Sequence, residues 1–327
     1  MRLWFDILTP KQVNFFKPII DELRRDHEIL CTSRAFRETI GLAKIRGLEL
    51  EIIGEYGFTL YDKLVNAGVR IQRLAEIIND YKPDKLVTFS SPDACRVAFG
   101  LKIPIICFND SPHAEAVCRL SIPLVDKLMH SWIIPTQAFV RYGIDKDKIT
   151  VYRALDPALW IREVSYSNGN TILFRFEESK AAYLYGKRSR SIELIKELSI
   201  SYKINVLYRY EEQRDALKDL NCVVIQDVVD GLELLSNSAV FIGSGGTMNC
   251  EAALLGIPNM IYNMQDIYVN RYLIDNKLSY ILDYNNIAQS IEILLKEKEE
   301  FKERSKNILR NMEDLKTKIV NEITKKN

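Results

Sequence analysis

The chain has few of the residues that would mark a metal centre, a disulfide framework or a membrane span. Its three histidines, His27, His113 and His130, are too scattered among 327 residues to suggest zinc. Six cysteines (Cys31, Cys95, Cys107, Cys118, Cys222, Cys250) form no CxxC pair and mostly have apolar neighbours, so reduced, buried thiols are expected. No apolar run approaches the ~20 residues that cross a bilayer, and Met1 leads straight into RLWFDIL, which implies a cytoplasmic protein. Neither sign of charge is in excess: 45 basic against 44 acidic residues leave +1, without the footprint of a nucleic-acid or anionic-membrane partner. The absence of GxxxxGK followed by Ser or Thr excludes P-loop nucleotide hydrolysis.

What the chain does have is alternation. Short β-rich runs (RLWFDIL, HEILCTS, LELEII) separate longer helical patterns, and KLVTFS (85–90) and IPIICF (103–108) are nearly continuous apolar runs, as in strands buried on both faces of a parallel sheet. SWIIP and ITVYRAL read as the last strands of this first series. A stretch with turn formers at both ends, DPALWIREVSYSNG, breaks the periodicity, and a second βα series begins at NTILFRF. At 327 residues one core is not enough, so two doubly wound domains are predicted, 1–156 and 170–327 with a linker at 157–169, facing each other across a cleft. The Lys/Glu-rich tail from Ile287 reads as solvated helix with one packed face, its last helix free to pack back on the first domain.

The densest cluster of glycines, three of fourteen, lies in FIGSGGTMNCEAALLGIP between a strand and a helix. Gly243, Gly245 and Gly246 have no Cβ to block a ligand or forbid positive φ, and the helix after Thr247 offers unpaired N–H groups and partial positive charge to a phosphate or diphosphate. Ser244 belongs to the same turn, and Thr247 adds a hydroxyl. Glu251, one helical turn on, has the geometry to accept bonds from ribose hydroxyls. The GxGG spacing, with Met248 at the sixth position and a late strand before it, departs from the dinucleotide fingerprint and disfavours NAD.

The segment GSGGTMNCEAALLGIP resembles the nucleotide-binding motif of GT-B glycosyltransferases and of UDP-N-acetylglucosamine 2-epimerases. Over nearly its full length, through FFKPII, KPDKLVTFSSPDACRVAFGLKIPIICFND, PHAEAVCRLSIPLVD and VDGLELL, the chain resembles the largely archaeal family called domain of unknown function 354. The resemblance implies a GT-B-like α/β fold of two Rossmann-like domains and a nucleotide-sugar, UDP-linked, as substrate, with no cofactor or metal. It assigns the diphosphate to Gly245, Gly246 and Thr247, the ribose to Glu251, and sugar contacts to Gln265 and Asn270.

Sugar transfer also needs a base at the acceptor hydroxyl and positive charge at the leaving diphosphate. Relatives carry two histidines in a PxHVHFF loop, where this chain reads TPKQVNFF with Gln12 and Asn14, which can orient a sugar but not take its proton. His113 is then the best imidazole, placed after the buried strand 103–108 with Asp110, Glu115 and Arg119 nearby, as base, acceptor contact or helix-start residue. Arg175 and Arg209 end neighbouring strands and are candidate diphosphate partners, with Lys180 as a third cation. Asp93 and Arg119 join the acceptor side. DKD at 145–147 matches a metal-binding DxD only on paper, in a polar turn.

Three activities fit: a metal-independent glycosyltransferase acting on a sugar or lipid-linked acceptor, an epimerase, or a nucleotide-sugar-binding protein with little catalysis. HAEAVCR is similar to the epimerases' HxEAGLR, but Ser91 stands where their aspartate belongs and Asp93 is two positions late. A lipid-linked acceptor would place the protein at the inner membrane face, although RLSIPLVDKLM (119–129) reads as a core helix. The oligomeric state stays open, a homodimer included.

Overall fold

A computed structural model describes residues 1–161, 169–177 and 190–325; Lys180 and most of the expected linker lie outside them. The chain divides into two compact units, Met1–Trp160 with Met312–Asn327, and Ile161–Asn311.

The first unit is built on a parallel seven-stranded sheet. Its strands are β1 (Arg2–Asp6), β2 (Glu28–Ala35), β3 (Glu51–Glu55), β4 (Lys85–Thr88), β5 (Ile105–Phe108), β6 (Lys127–Ser131) and β7 (Ile149–Tyr152), in the order β3-β2-β1-β4-β5-β6-β7. Every residue of β4 and β5 is buried, as their unbroken apolar character requires. Strand order reverses between β1 and β4, which opens a crevice at their carboxyl ends. The first helix, Pro10–Leu23, is capped by Thr9 and started by Pro10. Phe15 anchors it, with its ring centroid 5.1 Å from Phe108 and 5.3 Å from Phe89 in edge-on contacts. This packing sets Lys11 and Gln12 at the crevice.

Two expectations are corrected. SWIIP is not a strand: the strand precedes it, at Lys127–Ser131, and the chain turns after Ser131. Nor is RLSIPLVDKLM one core helix, because a helix ends at Ser121, a 3-10 turn covers Ile122–Leu124, and β6 begins at Lys127. The final helix, Leu315–Thr324, belongs to the first unit, burying Leu315, Ile319 and Ile323. Lys85 Nζ donates to the Ile323 and Lys325 carbonyls at 2.9 and 2.5 Å, capping that helix's open end.

Within β6, His130 is fully buried, Nδ1 2.9 Å from the Ser131 carbonyl and its ring 4.8 Å from Phe139. Burial pushes its pKa below the ordinary 6.5, against the pull of Ser131 and Asp156. The unfolded chain therefore takes up this proton at a higher pH than the folded one. The stabilisation is present above about pH 6.5 and is lost as pH falls toward the folded value. Thermal unfolding at pH 5.5 and 7.5 is expected to show a lower midpoint at the acid pH, with a smaller gap in His130→Gln.

The second unit carries a parallel six-stranded sheet: β8 (Thr171–Arg175), β9 (Ile204–Leu207), β10 (Val223–Ile225), β11 (Ser238–Gly243), β12 (Asn259–Ile261) and β13 (Tyr280–Ile281), ordered β10-β9-β8-β11-β12-β13. Its reversal falls between β8 and β11, so the glycine-rich turn after β11 occupies the switch point.

Candidate functional site

The turn in the second unit joins β11 to the helix Thr247–Leu254, with Gly246 as the residue before the helix. Gly245 and Gly246 have φ of +92° and +78°, conformations that only glycine adopts without strain. A Cβ on Gly245 would lie 2.3–2.7 Å from the Asn270 amide, whereas none of the described residues lies within 4 Å of one on Gly246. The open side of the turn is therefore at Gly246, ahead of the helix start.

The backbone donors do not all face outward as expected. The Gly245 N–H donates to Asn249 Oδ1 and the Gly246 N–H to Asn270 Oδ1, both at 2.9 Å. These two groups brace the turn instead of waiting for a diphosphate, and the donors left to an anion are the first-turn N–H groups from Thr247 onward. Asn249 in turn donates to Asn259 Oδ1 and the Met260 carbonyl, each at 3.0 Å. Asn270, expected as a sugar contact, is fully buried, and its Nδ2 donates to the Gln265 carbonyl at 3.0 Å; it positions the turn. Gln265 itself is half-buried just before the helix Tyr268–Asp275. Ser244 and Thr247 are also half-buried, and Glu251 is buried one turn beyond Thr247.

Arg175, ending β8, reaches the turn: its Nη1 lies 3.7 Å from Met248 Sδ in the first turn of the helix. Arg209 is drawn elsewhere, Nε donating to the Phe176 carbonyl at 3.1 Å. Sequence reasoning missed Glu177, 2 % exposed, whose Oε2 accepts from Tyr262 at 2.5 Å and from Ser191 at 2.6 Å. Burial and this carboxylate hold the Tyr262 phenol well above its ordinary pKa, so it stays a donor.

In the first unit, the crevice between β1 and β4 is lined by charges that sequence reading only partly found. Lys11 ion-pairs with Asp110 and, at 2.6 Å, with Asp156, and its ammonium sits 4.4 Å from the Phe89 ring centroid. Burial works against the Lys11 charge, but Asp110 and Asp156 outweigh it and hold the pKa above its ordinary value. Asp110 is lowered despite burial, through Lys11. Asp110 is thus engaged by Lys11 and by Ser111, whose Oγ donates at 2.9 Å, and its charge also acts on His113. Glu115 pairs with Arg119 at 2.7 Å on an exposed helix face. Desolvation lowers the His113 pKa against the opposing pull of Asp110.

Gln12 and Asn14 are not free acceptor contacts. Gln12 Oε1 accepts from the Leu8 N–H at 2.6 Å and its Nε2 donates to the Phe89 carbonyl at 3.4 Å, bracing the loop, while Asn14 accepts from Arg46 Nε at 3.3 Å. Asp93 is mostly buried and bonded at 3.4 Å to Arg70, which also pairs at 2.6 Å with Asp6. Burial raises the Asp93 pKa while Arg70 lowers it, burial winning. Arg34 lies over the Tyr56 ring at 4.9 Å, and its Nε is buried with no hydrogen-bond partner among the described residues.

Two parallel Rossmann-like sheets with a glycine turn at one switch point define the GT-B architecture, and solved structures share it. A UDP-GlcNAc 2-epimerase from Neisseria meningitidis, bound to UDP-GlcNAc, superposes with a TM-score of 0.71 at 17% identity over 99% of each chain. The spinosyn forosaminyltransferase SpnP superposes with 0.65 at 15% identity, over 99% of this chain and 100% of that one. The chain belongs to the family described as Protein of unknown function (DUF354), whose profile matches residues 1–327. An uncharacterized protein of Methanocaldococcus jannaschii is 28% identical over 309 residues, 89% of this chain and 90% of its own length.

Proposed function

We propose that the protein is a GT-B-type glycosyltransferase that binds a UDP-linked sugar on its second unit and an acceptor on its first. The observation that carries this reading is the turn 243–246, held open at Gly246 in front of a helix start, with Arg175 beside it. The first-turn N–H groups and the Thr247 hydroxyl receive the diphosphate, and Arg175 offsets its charge as the sugar–phosphate bond breaks. Glu251 receives the ribose hydroxyls. His113 accepts the proton of the acceptor hydroxyl as the new glycosidic bond forms, and charge compensation by the helix and Arg175 removes the need for a metal.

The first unit favours transfer over epimerisation. Elimination and re-addition need carboxylates free to move protons, yet Glu115 is paired to Arg119 and Asp93 to Arg70. Ser91 caps a helix, its Oγ accepting from the Ala94 N–H at 3.4 Å.

Calorimetry with UDP, GDP, ADP and TDP sugars should show preference for the UDP series, with affinity at least about tenfold weaker in Glu251→Ala. Equal affinity in the variant removes the ribose role. Turnover assays distinguish the activities: UDP released only with acceptor, and insensitive to EDTA, supports transfer, whereas a changed sugar without acceptor supports epimerisation and binding alone supports neither.

A further inference from the structure

The helix Leu60–Tyr81 buries only Arg70, Leu74 and Ile78, from its midpoint onward. On its N-terminal half, Leu60, Leu64 and Gly68 form one i,i+4 ridge and Tyr61, Val65 and Val69 the next, turned roughly 130° from the buried row. Leu60 is 83 % exposed, Leu64 75 % and Tyr61 74 %, with Phe58 at 77 % just before the helix and Val65 and Val69 at 43 and 44 %. Taking roughly 150–250 Å² for a large side chain, this patch leaves on the order of 700 Å² in water. That exceeds the roughly 300–600 Å² of a monomer's largest apolar patch and approaches the ~800 Å² per partner of a standard interface.

Gly68 adds a second indication. Glycine weakens a helix interior relative to alanine, and nothing lies within 4 Å of a Cβ built there. Among the described residues no group requires it, whereas a gap in an apolar ridge lets a second helix come close.

The charges around the patch are few and mixed: Glu55 and Asp62 at one end, Lys63 turned toward the Tyr56 ring, Arg73 one turn beyond Val69. An anionic bilayer would be met by a basic collar, which is missing. An antiparallel copy of the same helix would instead set Arg73 against the acidic end of its twin. We propose that this half-helix is the two-fold interface of a homodimer, with the Leu60–Gly68 and Tyr61–Val69 ridges packed against those of the partner.

Sedimentation velocity on the full chain at about 10 µM should give twice the 37.8 kDa chain mass. Leu64→Glu, at an exposed site where folding is undisturbed by circular dichroism, should weaken the dimer at least about a hundredfold. Leu120→Glu, at an isolated apolar residue 60 % exposed on another helix, should leave it intact. A monomeric wild type, a dimer that survives Leu64→Glu, or monomers that pellet with phosphatidylserine-containing vesicles would each overturn the proposal.

Discussion

Replacing Arg70 by methionine is expected to cost about 3–5 kcal/mol of folding stability, the range for stranding one partner of a buried ion pair. Arg70 is 1 % exposed and Asp6 is fully buried. The Arg70 guanidinium gives Nη2 to Asp6 at 2.6 Å, Nε to the Ile53 carbonyl at 2.9 Å and Nη1 to Asp93. Methionine fills much of the volume but returns none of these donors. Asp6 would keep only its neutral donors, such as Thr32 Oγ1 at 2.6 Å. The double variant Arg70→Met with Asp6→Asn should recover part of the loss, because the fully buried charge at Asp6 is gone while Asp93 still loses its Arg70 partner. Urea unfolding of the three proteins measures this directly; a single variant within about 1 kcal/mol of wild type would show that water reaches Asp6.

Gly245→Ala should cripple the proposed nucleotide-sugar site and cost stability as well. A side chain at φ +92° carries about 1–2 kcal/mol of backbone strain. Its Cβ would also meet the Asn270 amide, and moving Asn270 leaves the Gly246 N–H and its own buried amide short of partners, another ~1–3 kcal/mol. With the turn displaced, UDP-sugar affinity should fall by more than about tenfold. Gly246→Ala is the informative comparison, since it suffers the positive φ but meets no atom of the described residues within 4 Å. It should lose less stability yet still block a ligand approaching from the open side. Calorimetry and denaturant titration on both variants separate the effects, and full affinity in Gly245→Ala would mean that nucleotide binds elsewhere.

The parts of this architecture that could be read from sequence are those encoded locally. KLVTFS and IPIICF announce buried central strands because both faces of each must be apolar, and Gly243–Gly246 announce a turn because only glycine tolerates its backbone. β6 is hidden because polar members are satisfied at long range: Lys127 pairs with Glu322, and Ser131 Oγ donates to the Ala154 carbonyl. The same reason hid much of the site. Nothing near Gly246 foretells that an amide 24 residues later will take its N–H. Lys11 meets carboxylates 99 and 145 residues away, so TPKQ looked like a loop missing its histidines when it carries a buried cation. Exposed, locally paired residues such as Glu115 and Arg119 stand out in the sequence, whereas Arg70, whose partner Asp6 is 64 residues away, is silent in an amphipathic pattern.

The last helix carries a consequence for how the protein is made. Residues of the second unit emerge from the ribosome as one uninterrupted stretch and can complete their sheet during synthesis. The first sheet starts earlier but must wait for its finishing piece: until the stretch around Leu315–Thr324 is out of the exit tunnel, the apolar face that Leu315, Ile319 and Ile323 cover is bare and Lys85 has no carbonyls to cap. The portion translated first is therefore the one finished last.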